Sequence, residues 1–486
     1  MSVPVWALSA LSPWAASRAS AVTRTSGLAV FAPVWAIAML FSIAGDHQAL
    51  MWRQGPLAGS LGWLSVLAAF AALAGRRAAL WLMLLALVMV LRYAAALPVA
   101  SNNKTIGVFM NAAILAFVWP CLRQAAGDAA AASAHDRLRV IARSLLAVMY
   151  FYGIFHKINA DFLDPSVSCA VALYRPLAAP LGLDGNAFGH HLAIWMTFIV
   201  ESIALVALYW PRWFAVGLVL GLVFHFVIPI SAYSWYMDFS SLVLALYMLS
   251  MPPEVSTRCH AALVRAAGLL KAHAWHIAGF LGLLVGTGIV LVHSGAASLG
   301  SALHMHRSVM LLLWAVYGGF MMIALTRAAL DHLPWKGQRA ARQPLRVYAL
   351  PAALFLTCLS PYLGLKTESS IAMFSNLHTE GGVTNHLLFS KPPYLFGYQE
   401  DVVELVESSL PAFAWAAARG HSEVLFSLKE RLRWHPDHWV SYRQNGKLHE
   451  RVTAAHFAPE SYANRLERKL LIFKPVDFST PKPCTH

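Results

Sequence analysis

The chain has 486 residues, a net charge of +14 and 58% hydrophobic residues, while Asp, Glu, Lys and Arg together make up only 12%. A soluble globular protein is about 25% charged, so half of the usual polar coat is missing. A disordered chain, a fibrous repeat and a soluble multi-domain enzyme are excluded, and a mean hydropathy of +0.56 leaves a polytopic membrane protein.

The first 26 residues are apolar but have no basic stretch ahead of their apolar run. They are read as a cytoplasmic or interfacial segment rather than a cleaved signal. A bilayer core about 30 Å thick takes about 20 apolar residues per helix. Such runs follow at 27–45, 57–75, 78–98, 106–122, 139–156, 191–209, 213–233, 238–252, 275–293, 308–326 and 346–363. The predicted fold is an all-α polytopic membrane bundle of about 11 transmembrane helices over 27–363, with a small α+β extramembrane domain over 364–486. Residues 157–190 form a long and less apolar connection. In the tail, Asn445–Gly446 between alternating residues predicts a hairpin, 469–479 a further strand, and 400–420 a helix.

Basic residues cluster in alternate connections, among them Arg76 with Arg77, Arg123, Arg212, Arg258 with Arg265, and Lys336 with Arg339. Asp46, Asp161, Asp164, Asp184 and Asp238 fall in the others. By the positive-inside bias the N-terminus is cytoplasmic and, with an odd helix count, the tail lies outside. Charge scattered in this way gives no expectation of a nucleic-acid partner. The five cysteines, Cys121, Cys169, Cys259, Cys358 and Cys484, have no CxxC spacing and an odd total. Neither a zinc site nor a disulfide framework is expected from them.

The densest polar signal after an apolar run is GIFHKINADFLDPSVSCA at 153–170. Ionisable groups at membrane depth are costly and tend to be functional. A lysine held out of water favours its neutral amine, so Lys157, with His156 beside it, is a candidate base. The alternative is a lysine that snorkels to the headgroups. Glu201 is a carboxylate well inside a run. It either pairs with a cation, for which Arg92 is a candidate, or stays a neutral acid bonded to a neighbouring helix. In the segment 362–389, His378, Glu380, Asn385 and His386 are candidates to face the membrane-domain cavity and bind substrate. A turn-rich strand pair capping the bundle is the other reading. Their spacing fits no standard zinc pattern, so no metal is expected.

The segment HKINADFL at 156–163 resembles the lysine-bearing segment of vitamin K-dependent gamma-carboxylase and of bacterial proteins with the related horizontally transferred transmembrane (HTTM) domain. SNNKTIGVFMN at 101–111 is similar to the family's Asn-Asn-His segment, with Lys104 standing where the family has His. The segment 224–249 resembles the family's stretch from a His to a Trp-containing turn, here His225 and Trp235. MFSNL at 373–377 is distantly similar to a further family segment.

The resemblance implies Lys157, His156 and His225 as catalytic residues, with Asn102, Asn103, Lys104, Asn159, Asp161 and Trp235 around the cofactor. It implies a reduced quinone of the vitamin K hydroquinone or menaquinol type, with O2 and CO2 as co-substrates. A neutral lysine would deprotonate the quinol, and O2 would convert it into a base strong enough to take a proton from the γ-carbon of glutamate. The implied partners are the lipid bilayer, the lipophilic quinone and an exported peptide or protein, and the implied location is a bacterial inner membrane. Two other classes stay open. A non-enzymatic membrane module (an immunity, export or assembly factor) predicts no buried lysine and no cavity near residue 157. A secondary transporter predicts inverted repeats or broken helices.

Overall fold

The computed structural model describes residues 27–46, 50, 52, 54–74, 77–122, 127–231, 236–272, 299–331, 343–461, 463–479 and 481–484, with isolated positions between 276 and 295. The reading of residues 1–26 and most of the run at 275–293 lie outside the described residues.

In chain order the membrane domain has α1 (Gly27–Gly45), α2 (Pro56–Leu73), α3 (Ala78–Ala96), α4 (Asn102–Val118) and α5 (Gly127–Phe155). There follow α6 (Cys169–Ala178), α7 (Ala187–Ala207), α8 (Phe214–Ser231), α9 (Met237–Ser250), α10 (Pro253–Ala272), α11 (Leu299–Leu330) and α12 (Ala349–Cys358). Among the described residues, eight helices are long and apolar enough to cross a membrane: α1–α5, α7, α8 and α11. They are compatible with a multi-pass integral membrane protein. Leu67, Phe70, Leu91, Val206 and Ile323 point outward and are exposed, a density of apolar surface that suits a lipid bilayer.

Two expected spans are shorter than predicted. The run at 238–252 becomes α9, 14 residues long. At about 1.5 Å per residue it is too short to cross alone. It is apolar nearly all round and therefore sits inside the bundle, packed against α1, α5 and α8. The run at 346–363 is a 3-10 turn followed by the 10-residue α12. The long connection 157–190 is not an open loop, since α6 packs against α7 and α8.

The tail holds a four-stranded antiparallel sheet in the order β2-β1-β3-β4, from β1 (Val402–Ser408), β2 (Ser422–Val424), β3 (Val440–Gln444) and β4 (Lys447–Val452). The helices α13 (Pro411–Ala417) and α14 (Leu425–Trp434) cover it, and α15 (Arg465–Leu470) follows. Val403, Leu405, Phe413, Leu428 and Val440 form its core. The expected hairpin is present: Asn445 and Gly446 both take positive φ between β3 and β4.

The other two tail expectations are corrected. The first part of 400–420 is β1, because Val403 and Leu405 alternate inward with Glu404 and Val406 outward, a period of 2 rather than 3.6. Only α13 in that range is helical. The expected strand at 469–479 has one isolated bridge, Ser422 to Val476. Pro475 has no N–H to give a ladder.

The segment 364–396 runs across the membrane domain as a strap. Ala160 donates to Asn385 O at 3.0 Å and Leu387 to Ile158 O at 2.9 Å. On the other side of the tail, Lys469 Nζ donates to Leu97 O, just past the end of α3, at 3.0 Å. Contrary to the sequence expectation, Cys169 and Cys484 form a disulfide across 315 residues. A bond of that span has no spacing signature, because it reports the meeting of α6 with the C-terminal segment.

Candidate functional site

Helix α5 ends at Phe155, and the backbone turns before Asn159. The Asn159 side-chain oxygen accepts from Phe162 N at 2.8 Å, capping a short helical turn at Ala160–Leu163. Its amide donates to His156 O at 2.8 Å and to Ser375 O in the strap at 2.6 Å. The bend holds Lys157 with its side chain directed into the bundle. Lys157 Nζ lies 2.7 and 2.8 Å from the two oxygens of Glu201 on α7. Both residues are 6% exposed, so the snorkelling alternative does not hold. Gly153, one turn before Lys157, makes room for the carboxylate: a Cβ there would lie 3.2 Å from Glu201 Oε2.

The pair lines a cavity of about 340 Å³ formed by α5, α6, α7, α8 and the strap, within the usual size of small-molecule sites. Its wall is mostly apolar, with Phe162, Leu173, Met196 and Phe224 among its side chains. The polar exceptions include Asn102, Lys157, Glu201 and His225. Asn102 Oδ1 accepts from Ile371 N at 2.9 Å, so what this side chain offers the cavity is its amide nitrogen. His225 Nε2 meets Tyr150 Oη at 3.2 Å. Three segments far apart in sequence thus bring their polar side chains to one chamber.

The strap closes one side with Ile371, Met373 and Phe374. Ser369, Ile371, Phe374 and Asn376 all have positive φ, which for a β-branched residue such as Ile371 is uncommon and costly. The surroundings hold this conformation in place. Ile371 N bonds to Asn102, and Asn376 accepts from Cys169 N at 2.9 Å while donating to Val167 O at 3.1 Å.

The chain matches no family model, no curated protein and no solved structure. The geometry therefore carries the functional argument.

Several residues expected at the site lie elsewhere. His156 turns toward the strap, with Nδ1 2.8 Å from Tyr362 Oη and Nε2 3.1 Å from Ser370 O. These two contacts join the end of α5 to the strap. Asn159 is the cap described above. Asp161 accepts from Asn385 Nδ2 at 2.6 Å and from Lys482 N at 3.2 Å, tying the tail down.

Asn103 and Lys104, about 100° and 200° round α4 from Asn102, are not among the residues that line the cavity. Asn103 donates to Asp238 and Lys104 to Asp46, the latter at 3.3 Å. Arg92 completes this second cluster by pairing with Asp46 at 2.9 Å, and so is not the partner of Glu201. Trp235 lies outside the described residues.

The expectation that His378, Glu380, Asn385 and His386 face the cavity is also corrected. His386 Nε2 contacts Phe155 O at 2.9 Å and Asn385 bridges Asp161 to Asn376 O. His378 and Glu380 turn into the tail, where both imidazole nitrogens and Glu380 Oε1 are buried without a hydrogen-bond partner among the described residues.

Burial pushes the neighbouring Glu423 carboxyl up to about 7, with Glu380 adding to the rise and Arg431 opposing it. Between the ordinary value of 4.5 and about 7, folded Glu423 keeps a proton that the unfolded chain has lost. Its contribution to stability is therefore lost as pH rises through that window. Glu423→Gln is expected to gain on the wild type between pH 5 and pH 8, by at most about 3 kcal/mol at about 1.4 kcal/mol per unit. Thermal midpoints of both proteins at the two pH values check this, and a pH-independent gap would refute it. Burial, followed by Lys482 and Lys474, lowers His378 to about 3. That group works in the opposite sense, adding stability as pH rises from 3 to 6.5, and the Gln variant leaves its slope intact.

Sequence reasoning did not find the partners of the site residues. Glu201 was visible as a carboxylate inside a span, but nothing in the sequence selected Lys157, 44 positions earlier, over Arg92. Tyr150 had no signal at all, being one aromatic among many on α5.

Proposed function

We propose that the chain is an integral membrane, quinol-dependent oxygenase or carboxylase of the vitamin K-dependent gamma-carboxylase type, related to HTTM-domain proteins and acting on an exported peptide or protein. The observation that carries this is the convergence of the Lys157–Glu201 pair, Asn102 and His225 on one mostly apolar cavity. A lipophilic ring with oxygen substituents fits that chemistry, having apolar walls for the ring and a few donors for its oxygens.

When bound, a hydroquinone would supply the electrons for O2 and the basicity that no side chain has for deprotonating the γ-carbon of glutamate, with CO2 as the final acceptor. The chain's own part is to move one proton and hold oxygens in place. A proton passed from Lys157 Nζ to Glu201 Oε1 across 2.7 Å leaves a neutral amine facing the cavity and the net charge of the pair unchanged. That amine is the base the reading needs, and Glu201 is its proton store. Asn102 and His225 would hold a ligand oxygen by hydrogen bonds as charge develops on it.

Orientation follows the charge bias, with the N-terminus cytoplasmic and the tail outside in a bacterial inner membrane. The Cys169–Cys484 bond supports this, because disulfides persist in oxidising compartments. A non-enzymatic module predicts a lysine in the headgroups and no chamber beside it. Lys157, buried against Glu201, runs against that.

The test is O2 consumption by the purified protein with menaquinol-4 or phylloquinol, in wild type and Lys157→Ala. A quinol-dependent rate that falls about 100-fold or more in the variant is expected. No uptake with either quinol, in folded wild-type protein, would overturn the reading.

A further inference from the structure

From the cavity wall inward, three side chains from three helices form a buried row. Tyr247 Oη on α9 lies 2.9 Å from Tyr150 Oη on α5, which lies 3.2 Å from His225 Nε2 on α8. All three residues are buried. Gly221, one turn before His225, makes space for the two hydroxyls. A Cβ at that position would fall 2.5 Å from Tyr247 Oη and 3.0 Å from Tyr150 Oη. The edge-on rings of Phe224 and Phe239, each with its centroid 5.3 Å from that of the imidazole, fix the plane of His225. The remaining ring nitrogen, Nδ1, is buried and has no hydrogen-bond partner among the described residues.

Counting protons gives the row a direction. Among the described residues, Tyr247 Oη has one acceptor in reach, Tyr150 Oη. If the row ran from His225 Nε2–H to Tyr150 to Tyr247, the Tyr247 proton would be buried without an acceptor and the Nδ1 lone pair without a donor. Run the other way, Tyr247 donates to Tyr150, and Tyr150 donates to Nε2. A neutral imidazole then carries its proton on Nδ1. Only one donor is left over, His225 Nδ1–H, and His225 lines the cavity. An unmade hydrogen bond from a buried group costs enough to select the second arrangement.

We propose that Tyr150 and Tyr247 are positioning residues that hold His225 in the Nδ1–H tautomer, making it a fixed hydrogen-bond donor to an acceptor oxygen of the ligand in the cavity. The choice of a quinone oxygen as that acceptor rests on the function proposed above; the tautomer does not. Tyr150 also lines the cavity, so losing its hydroxyl acts on the ligand through the imidazole, which can then place its proton on either nitrogen.

The experiment is 15N solid-state NMR of the histidine-labelled full chain in lipid nanodiscs, with the His225 signals identified by their loss in His225→Asn. The wild type is expected to show a protonated Nδ1 and a bare Nε2, and Tyr150→Phe a mixture of tautomers. Tyr247→Phe keeps the Tyr150 donor and is expected to shift the populations less, which covers the case of a Tyr150 variant that does not fold. Menaquinone-4 binding to the same samples is expected to weaken in Tyr150→Phe in proportion to the Nδ1–H fraction lost, about twofold for an equal mixture. A wild-type Nε2–H signal, or a tautomer unchanged in Tyr150→Phe, overturns the proposal. The expected tautomer shift with no menaquinone-4 binding to any sample supports the positioning row and counts against the quinol reading alone.

Discussion

Lys157→Met is expected to destabilise the protein by about 3–5 kcal/mol, the cost of leaving a buried charge without its partner. Glu201→Leu is expected to cost a similar amount for the same reason. The double variant, with both charges gone and an apolar pair of comparable volume in their place, is expected to recover most of that loss. The physical basis is the depth of the pair: both residues are 6% exposed, and among the described residues the two contacts of 2.7 and 2.8 Å are the hydrogen bonds the Glu201 oxygens make. Thermal or denaturant unfolding of the three variants, read as a double-mutant cycle, measures the coupling. Single costs that simply add would mean that the two groups do not act as a unit.

The same variants separate stability from function. A span that only had to cross a bilayer would lose little by exchanging this ion pair for methionine and leucine. On the proposed mechanism the double variant is well folded and has no quinol-dependent O2 uptake, because the amine and its proton store have both gone. Activity surviving in a stable double variant would remove Lys157 from the chemistry.

The limits of the sequence reading follow from what each signal measures. Apolar run length locates α1, α2, α3, α7 and α8 within a few residues, because a helix in lipid must bury its own backbone. It overestimates the span at 238–252, since α9 is apolar for a different reason: its neighbours are α1, α5 and α8. Lys157 was legible as a polar residue at the end of an apolar run, Asn102 and His225 only through the resembling motifs, and the three share the cavity. Asn103 is adjacent to Asn102 but about 100° further round α4. It meets Asp238 instead, and motif matching treats the two alike.

The strap was the least legible part. Its histidines and Glu380 stood out as polar residues, yet Ile371, Met373 and Phe374 are the ones that reach the cavity. Irregular backbone has no period from which to tell inside from outside. Burial then depends on contacts such as Asn102 with Ile371 N, 269 positions apart.

Reduction of the Cys169–Cys484 bond, or Cys484→Ser, is expected to lower the thermal midpoint by several degrees and to loosen the strap before the membrane helices melt. Loop-closure entropy for a crosslink spanning 315 residues sets a ceiling of about 5–6 kcal/mol. The location of the bond sets which part fails first. Cys169 opens α6, which lines the cavity, and the disulfide packs in one cluster with Phe162 and Phe374. Beside it, Lys482 donates its N–H to Asp161 and accepts from Asn376, whose side chain also accepts from Cys169 N. Removing the crosslink therefore loosens the C-terminal segment, then Asn376, then Phe374 at the cavity wall. Protease sensitivity within 364–396 should rise under reductant while the helical circular dichroism is unchanged. An unaltered midpoint in protein shown by thiol titration to be reduced would sink the prediction. Thiol counting on protein taken directly from its membrane adds a test of orientation: a tail exported to an oxidising compartment leaves Cys121, Cys259 and Cys358 as the alkylatable thiols on unfolding, whereas a tail kept in the cytoplasm would leave all five.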